Sequence, residues 1–126
     1  MKALNIIATA YRGTLEEQDD TIVWITHAMK GAGGDLSVLL RGNAVNYGVS
    51  AQQVDSLSFG ARQQKNAPQL ANDVAALPGK GVEVFIVEED LSERGIAAGD
   101  LVDGLTAISR DQLPKLLDRF DQVWHW

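Results

Sequence analysis

The residue types able to do chemistry in this chain are two histidines, His27 and His125, a run of three acids at Glu88-Glu89-Asp90, and arginines and amides that follow apolar runs. Three consecutive acids at the end of an apolar run could hold a hard cation or act as acid and base, but they cannot all point into one site, and a solvated face is the simpler reading. His27 falls beside an apolar stripe and reads as a structural histidine, and His125 stands between Trp124 and Trp126 in an aromatic terminal edge suited to pairing with another subunit. No spacing of the His-x-x-x-His kind exists, so neither a metal nor another cofactor is expected. The six serines have no histidine at a telling spacing, and Gly-x-Ser-x-Gly is absent. Gly31-Ala32-Gly33-Gly34 follows a helix pattern and precedes a strand pattern, the reverse of a phosphate-binding loop. The chain has no cysteine, which removes disulfides, thiolate metal sites and thiol nucleophiles together.

What remains is a rim. Tyr11 and Arg12 follow the first apolar run, Arg41, Asn43, Asn46 and Tyr47 follow the second, and Glu88 and Arg94 flank the end of a third. If these runs are parallel strands, the groups converge on one sheet edge, where two arginines and amide donors can hold a small anion. The competing reading pairs Arg41 and Arg94 with Glu88, Glu89 or Asp90 as rim salt bridges.

The elements that must place these residues follow from the apolar pattern. The segment Gly81 to Gly95 is the organising one: Val82, Val84, Phe85, Ile86 and Val87 form a strand buried on both faces that ends abruptly in a polar loop. Before it, Ala3 to Ala10 reads as a first strand. Thr14 with Glu17 reads as a capping box opening a helix with Leu15, Ile22, Ile25 and Met29 on its buried stripe. Asp35 to Arg41 is a second strand. Residues 49–64 fit neither period, and a short helix or irregular excursion anchored by Val54, Leu57 and Phe59 is expected. Asn66 and Pro68 announce a second helix with a stripe of Leu70, Val74 and Leu77. After the organising strand come a minimal strand at Leu105 to Ile108, a Ser109/Gln112 box or an Asp111 cap opening a last helix, and a final strand at Asp121 to Trp126. Alternation of this kind predicts an α/β domain, three-layered, with a mainly parallel five-stranded sheet, spanning 1–126 as one unit.

The bracket Gly81-Val82, position 87 and Arg94-Gly95 resembles the DsrE-like sulfur-relay family. In active members of that family, the position matching Val87 is a cysteine that carries sulfur as a persulfide. The resemblance covers nearly the whole chain in element order, and it implies a DsrE-like fold and oligomeric assembly with itself or with related DsrE-like subunits. With valine at position 87, it also implies a member that passes no sulfur itself and has no catalytic residue. The expected role is that of a non-catalytic subunit or a small-ligand or partner-binding protein connected to sulfur metabolism. The alternative is an enzyme acting on a small anionic substrate through Arg41, Asn43, Glu88 and Arg94.

Composition limits the partners. Apolar residues at 45% and charged residues at 22% are ordinary for a globular protein, and 126 residues suffice for a real core. The net charge of -6, with no basic stripe, argues against nucleic acid and anionic membrane surfaces. No apolar run approaches a membrane span and the N-terminus carries no cleavage pattern, so the expected location is cytoplasmic.

Overall fold

The computed structural model describes residues 1–12 and 19–126. In chain order the elements are β1 (Lys2–Ile7), α1 (Thr21–Gly31), β2 (Asp35–Leu40), a short hairpin of β3 (Ser58–Phe59) and β4 (Arg62–Gln63), and α2 (Leu70–Gly79). There follow β5 (Val84–Val87), α3 (Glu88–Glu93), β6 (Leu105–Ile108), α4 (Leu113–Leu117) and β7 (Gln122–His125). The main sheet has the order β6-β5-β2-β1-β7, and every pairing in it is parallel. This is the five-stranded α/β sheet that the apolar runs predict.

The connections explain the layers. From β1 to β2 to β5 to β6 the chain steps in one direction, and right-handed crossovers place α1, α2 and α3 on the same face. The step back from β6 to the far side of β1 carries α4 across the opposite face. Side chains divide accordingly, with the period of two that a strand imposes. Ile7, Val38, Leu40, Val84 and Ile86 pack with Ile22, Val23, Leu70, Val74, Leu77 and Leu91 of the three helices. Leu4, Ile6, Leu39, Phe85, Val87 and Ile108 pack with Leu116 of α4. Asn5 is the polar exception inside β1. Its Nδ2 donates to Thr26 Oγ1 at 2.9 Å, and its Oδ1 accepts from the Trp126 indole N–H at 3.4 Å, tying the chain's last residue to α1.

Several local expectations are corrected. The Thr14/Glu17 box and Leu15 lie outside the described residues. Within them, α1 begins at Thr21, and Asp20 is its cap, accepting from the N–H groups of Ile22 and Val23. Its buried face is Ile22, Val23 and Thr26, whereas Ile25 is 37% exposed, because the helix turns Thr26 onto Asn5. Asn66 does not cap α2. That helix starts at Leu70 after Gln69 with no side-chain cap, although its buried stripe of Leu70, Val74 and Leu77 is as read. Residues 49–64 are an irregular excursion with the β3–β4 hairpin, and Val54, Leu57 and Phe59 are exposed on it rather than anchoring it.

Two further corrections concern the carboxyl edge. The polar loop expected after β5 is instead α3, which starts at once and puts Glu88, Glu89 and Asp90 in its first turn, where the helix dipole favours acids. Ser109 caps by its carbonyl, not its hydroxyl, and Asp111 is not the cap. The Gln112 N–H donates to Ser109 O at 3.0 Å, and Gln112 Oε1 accepts from the Ser109 N–H at 3.2 Å. Pro114 then fits inside the first turn of α4, where its missing N–H costs nothing. Among the described residues, no helix is long and apolar enough to cross a membrane.

Candidate functional site

Because all five strands run the same way, their carboxyl ends share one edge, and the residues that follow them meet there. Arg41 leaves β2, and its backbone N–H donates to Ile7 O at 3.0 Å, which keeps the ends of β1 and β2 level. Gly42 then takes φ +55°, and a β-carbon there would lie 3.2 Å from the Ala8 carbonyl oxygen. Glycine is the residue that tolerates this left-handed turn so close to a neighbouring backbone. The turn points the Gly42 N–H at Asp90 Oδ2, 2.7 Å away.

Asp90 is the centre of the rim. Helical spacing of about 100° per residue splits the three acids. Glu88 is exposed, Glu89 accepts from the Arg110 N–H at 2.9 Å, and Asp90 is turned inward, only 6% exposed. The other Asp90 oxygen forms an ion pair with the Arg110 guanidinium, which also reaches Glu93 at 2.8 Å. Burial pushes the Asp90 carboxyl up, but the Gly42 N–H and Arg110 together outweigh it and hold the group below its ordinary value. The same contacts raise the Arg110 guanidinium.

Arg94 completes this cluster. Its Nε and Nη2 donate to Asn43 Oδ1 at 3.1 and 2.9 Å, and Nη1 donates to the Asp90 carbonyl at 3.0 Å. Asn46 donates to the Asn43 carbonyl at 2.8 Å. Arg94, Asn43 and Asn46 therefore converge as the sequence suggested, but they are bonded to one another.

A second knot closes the other end of the rim. Tyr47 is wholly buried. Its hydroxyl donates to Asp20 Oδ2 at 2.8 Å and accepts from the Arg12 N–H at 3.2 Å. Burial first, then the bond to Asp20 and its charge, raise the Tyr47 phenol well above its ordinary range against a small opposing effect of Arg12. The exposed Tyr11 ring meets Tyr47 edge-on, with ring centres 5.2 Å apart.

Two predicted rim residues stay outside both knots. Among the described residues, the guanidinium of Arg41 and the carboxylate of Glu88 have no hydrogen-bond or ion-pair partner. The rim salt bridges expected of Arg41 are therefore not formed. Arg94 comes no nearer to a carboxylate than 3.8 Å, at Glu93. Sequence reasoning missed Arg110, although it follows β6 just as Arg41 follows β2, and it missed Asp20 as a site residue. Val87, the position matched to a sulfur-carrying cysteine, is 1% exposed and faces α4, away from Asp90, Arg94 and Tyr47. Among the described residues, no group of three or more ligating side chains is placed to hold a metal ion.

The acid pair yields a stability prediction. Asp90→Ala leaves the Gly42 N–H without its acceptor and the Arg110 guanidinium with Glu93 alone, and the expected cost is about 1–3 kcal/mol. A carboxylate held low in the folded state contributes stability that is present above its unfolded value, about 3.9, and is lost as pH falls through the lower folded value. Thermal unfolding at a series of acidic pH values should show a steep loss of stability in the parent that is shallower in Asp90→Ala. Equal acid slopes would remove Asp90 from this role.

No family model and no curated protein matches the sequence. The fold, by contrast, has solved counterparts. The crystal structure of the YchN protein from E. coli matches with a TM-score of 0.75 at 20% identity, covering 100% of both chains. MTH1491 from Methanobacterium thermoautotrophicum, a protein of unknown function, matches with a TM-score of 0.67 at 12% identity, covering 99% of this chain and 98% of that one. The chain thus has the YchN-type, DsrE-like fold, and at these identities the likeness is one of fold.

Proposed function

We propose that this protein is a DsrE-like subunit that acts by binding, not by carrying sulfur, and that a small anion or a partner group docks at the carboxyl edge of its sheet beside Arg41. The observation that carries the reading is the division of labour among the rim arginines. Arg94 and Arg110 are consumed by Asn43, Asp90 and Glu93, while among the described residues Arg41, which follows β2 at the same sheet edge, keeps its fork of donors unspent. A planar guanidinium at a sheet edge suits a carboxylate or oxyanion. The connection to sulfur metabolism rests on the DsrE-like resemblance.

Assembly belongs to the same reading. β7 is an edge strand whose Val123 is 44% exposed, and Trp126 just after it is 45% exposed, an apolar border of the kind that a second subunit covers. The partner would be another copy of this chain or a related DsrE-like subunit.

A second reading keeps an enzyme acting on a small anionic substrate. It draws support from Glu88, an unpaired carboxylate that opens α3 directly after β5, the strand paired with the one that Arg41 follows. One titration separates the two. Isothermal calorimetry with thiosulfate and with inorganic phosphate is expected to give weak binding that falls at least about tenfold in Arg41→Ala, or ~1.4 kcal/mol, with the melting temperature unchanged. Arg94→Ala is unsuitable as the test, since it removes three hydrogen bonds of the rim itself. No binding, or binding indifferent to Arg41, overturns the proposal, and chemical change of the titrant lost on Glu88→Gln favours the enzyme.

A further inference from the structure

His27 joins α1 to α2 in a way that the rim does not use. Its Nε2 lies 2.8 Å from the Asp73 carbonyl oxygen in α2, and its Nδ1 lies 2.9 Å from Nζ of Lys80, the residue that follows α2. A carbonyl oxygen only accepts, so Nε2 carries the ring proton, and Nδ1 presents its lone pair to the Lys80 amine. A neutral imidazole with its far nitrogen anchored and its near nitrogen on one chosen nucleophile is the arrangement by which side chains are activated. The pair opens on a cleft of about 260 Å³ lined also by Asp19, Trp24, Asp73 and Ala76, with Trp24 54% exposed.

We propose that Lys80 is a nucleophilic amine that accepts an acyl group from small, uncharged acyl thioesters, with His27 as its base. The charges around the pair select that class. Asp19 and Asp73 line the cleft. Burial first and then the Asp19 charge raise the Asp73 carboxyl. Two carboxylates disfavour an acyl phosphate and leave a neutral thioester, with its acyl chain against the Trp24 ring, as the better fit.

The step balances without a further reagent. One proton of the Lys80 ammonium passes through His27 Nδ1 to water, and the freed lone pair forms the N–C bond to the thioester carbonyl. The C–S bond then breaks with its electron pair on sulfur, and the second proton leaving Nζ passes through His27 to that thiolate. The products are an amide on Lys80 and a free thiol.

The test treats the intact protein with the acetyl thioester of N-acetylcysteamine and follows each of its five lysines by peptide mass spectrometry. General-base assistance is worth about a hundredfold or more, so Lys80 should acetylate at least about tenfold faster than Lys2, Lys30, Lys65 and Lys115. In His27→Gln, which can still donate to the Asp73 carbonyl, that advantage should vanish while the other four rates hold. A Lys80 rate within the range of the others, or an advantage that survives His27→Gln, overturns the proposal. Faster labelling of Lys80 by acetyl phosphate than by the thioester would overturn the assigned class of donor.

Discussion

A cysteine installed at position 87 should be nearly inert. Val87 is the last residue of β5, and its side chain lies among Leu4, Ile6, Leu39, Phe85, Ile108 and Leu116. A thiol in such a place is denied water and is pushed toward its neutral form, so both access and thiolate fraction fall. Reagent would reach it only when the strand end opens. If that opening costs about 3 kcal/mol, the thiol is accessible roughly 1% of the time. The expected result is that Val87→Cys reacts with an aromatic disulfide reagent about a hundredfold more slowly than Glu88→Cys, one residue later. Glu88 is exposed and opens α3, where the first-turn N–H groups favour a thiolate. Equal rates would show that the end of β5 opens freely, and a faster Val87→Cys would mean that a reactive seat has been kept. The consequence for function is direct. Restoring a thiol at the matching position would not by itself restore a sulfur carrier, because the position belongs to the α4 side of the core and the polar rim lies on the other.

The second large effect lies at Asp20. It is fully buried, its Oδ1 accepts the N–H groups of Ile22 and Val23 at 2.9 and 3.1 Å, and its Oδ2 accepts the Tyr47 hydroxyl. Asp20→Ala removes a helix cap, at about 1 kcal/mol, and leaves a buried phenol without an acceptor, at about 1–3 kcal/mol more. A total near 2–4 kcal/mol should lower the melting temperature by roughly 10 °C. Tyr47→Phe strands the other partner and should cost about 1.5–3 kcal/mol. The double variant should cost less than the sum by about 1 kcal/mol, because either single change already breaks the shared bond.

The phenol also sets an alkaline limit. Its folded-state value is raised, so its contribution to stability is complete below the unfolded value, about 10, and is lost as pH rises from there toward the folded one. Tyr47→Phe should be indifferent over that range. Additive costs and an unchanged alkaline limb would show that the two residues do not work as a unit.

Much of the fold was legible because a parallel sheet is written in continuous apolar runs. Leu36 to Leu40 and Val84 to Val87 have no polar alternation apart from Ser37, and their burial on both faces is what makes them readable without a partner in view. Helix starts were less legible. Asn66 with Pro68 has a good local start signal, yet α2 begins at Leu70, where the stripe Leu70, Val74 and Leu77 meets the sheet, so packing set the boundary. Val54, Leu57 and Phe59 have the composition of anchors, but among the described residues no element of the fold covers them, and they stay exposed.

The rim was legible as a place and not as a network. The rule that residues following parallel strands share an edge found Arg41, Asn43, Asn46, Glu88 and Arg94. Which of them would be left free depends on pairs far apart in sequence: Gly42 with Asp90, Asp90 with Arg110, and Asp20 with Tyr47. Nothing local marks Asp90 as the inward member of an acidic run, because that depends on where α3 begins. Had the helix started two residues later, Asp90 would face elsewhere and Arg94 would be free.

On the reading proposed above, this chain works through association and binding rather than through covalent sulfur chemistry of its own. Native mass spectrometry of the gently purified protein from its source tests that most directly. The expected result is an assembly, either several copies of this chain or a complex with a cysteine-bearing DsrE-like relative, with any small anion held non-covalently and lost on denaturation. A monomer without partner or ligand, or a sulfur adduct that survives denaturation of this cysteine-free chain, would contradict it.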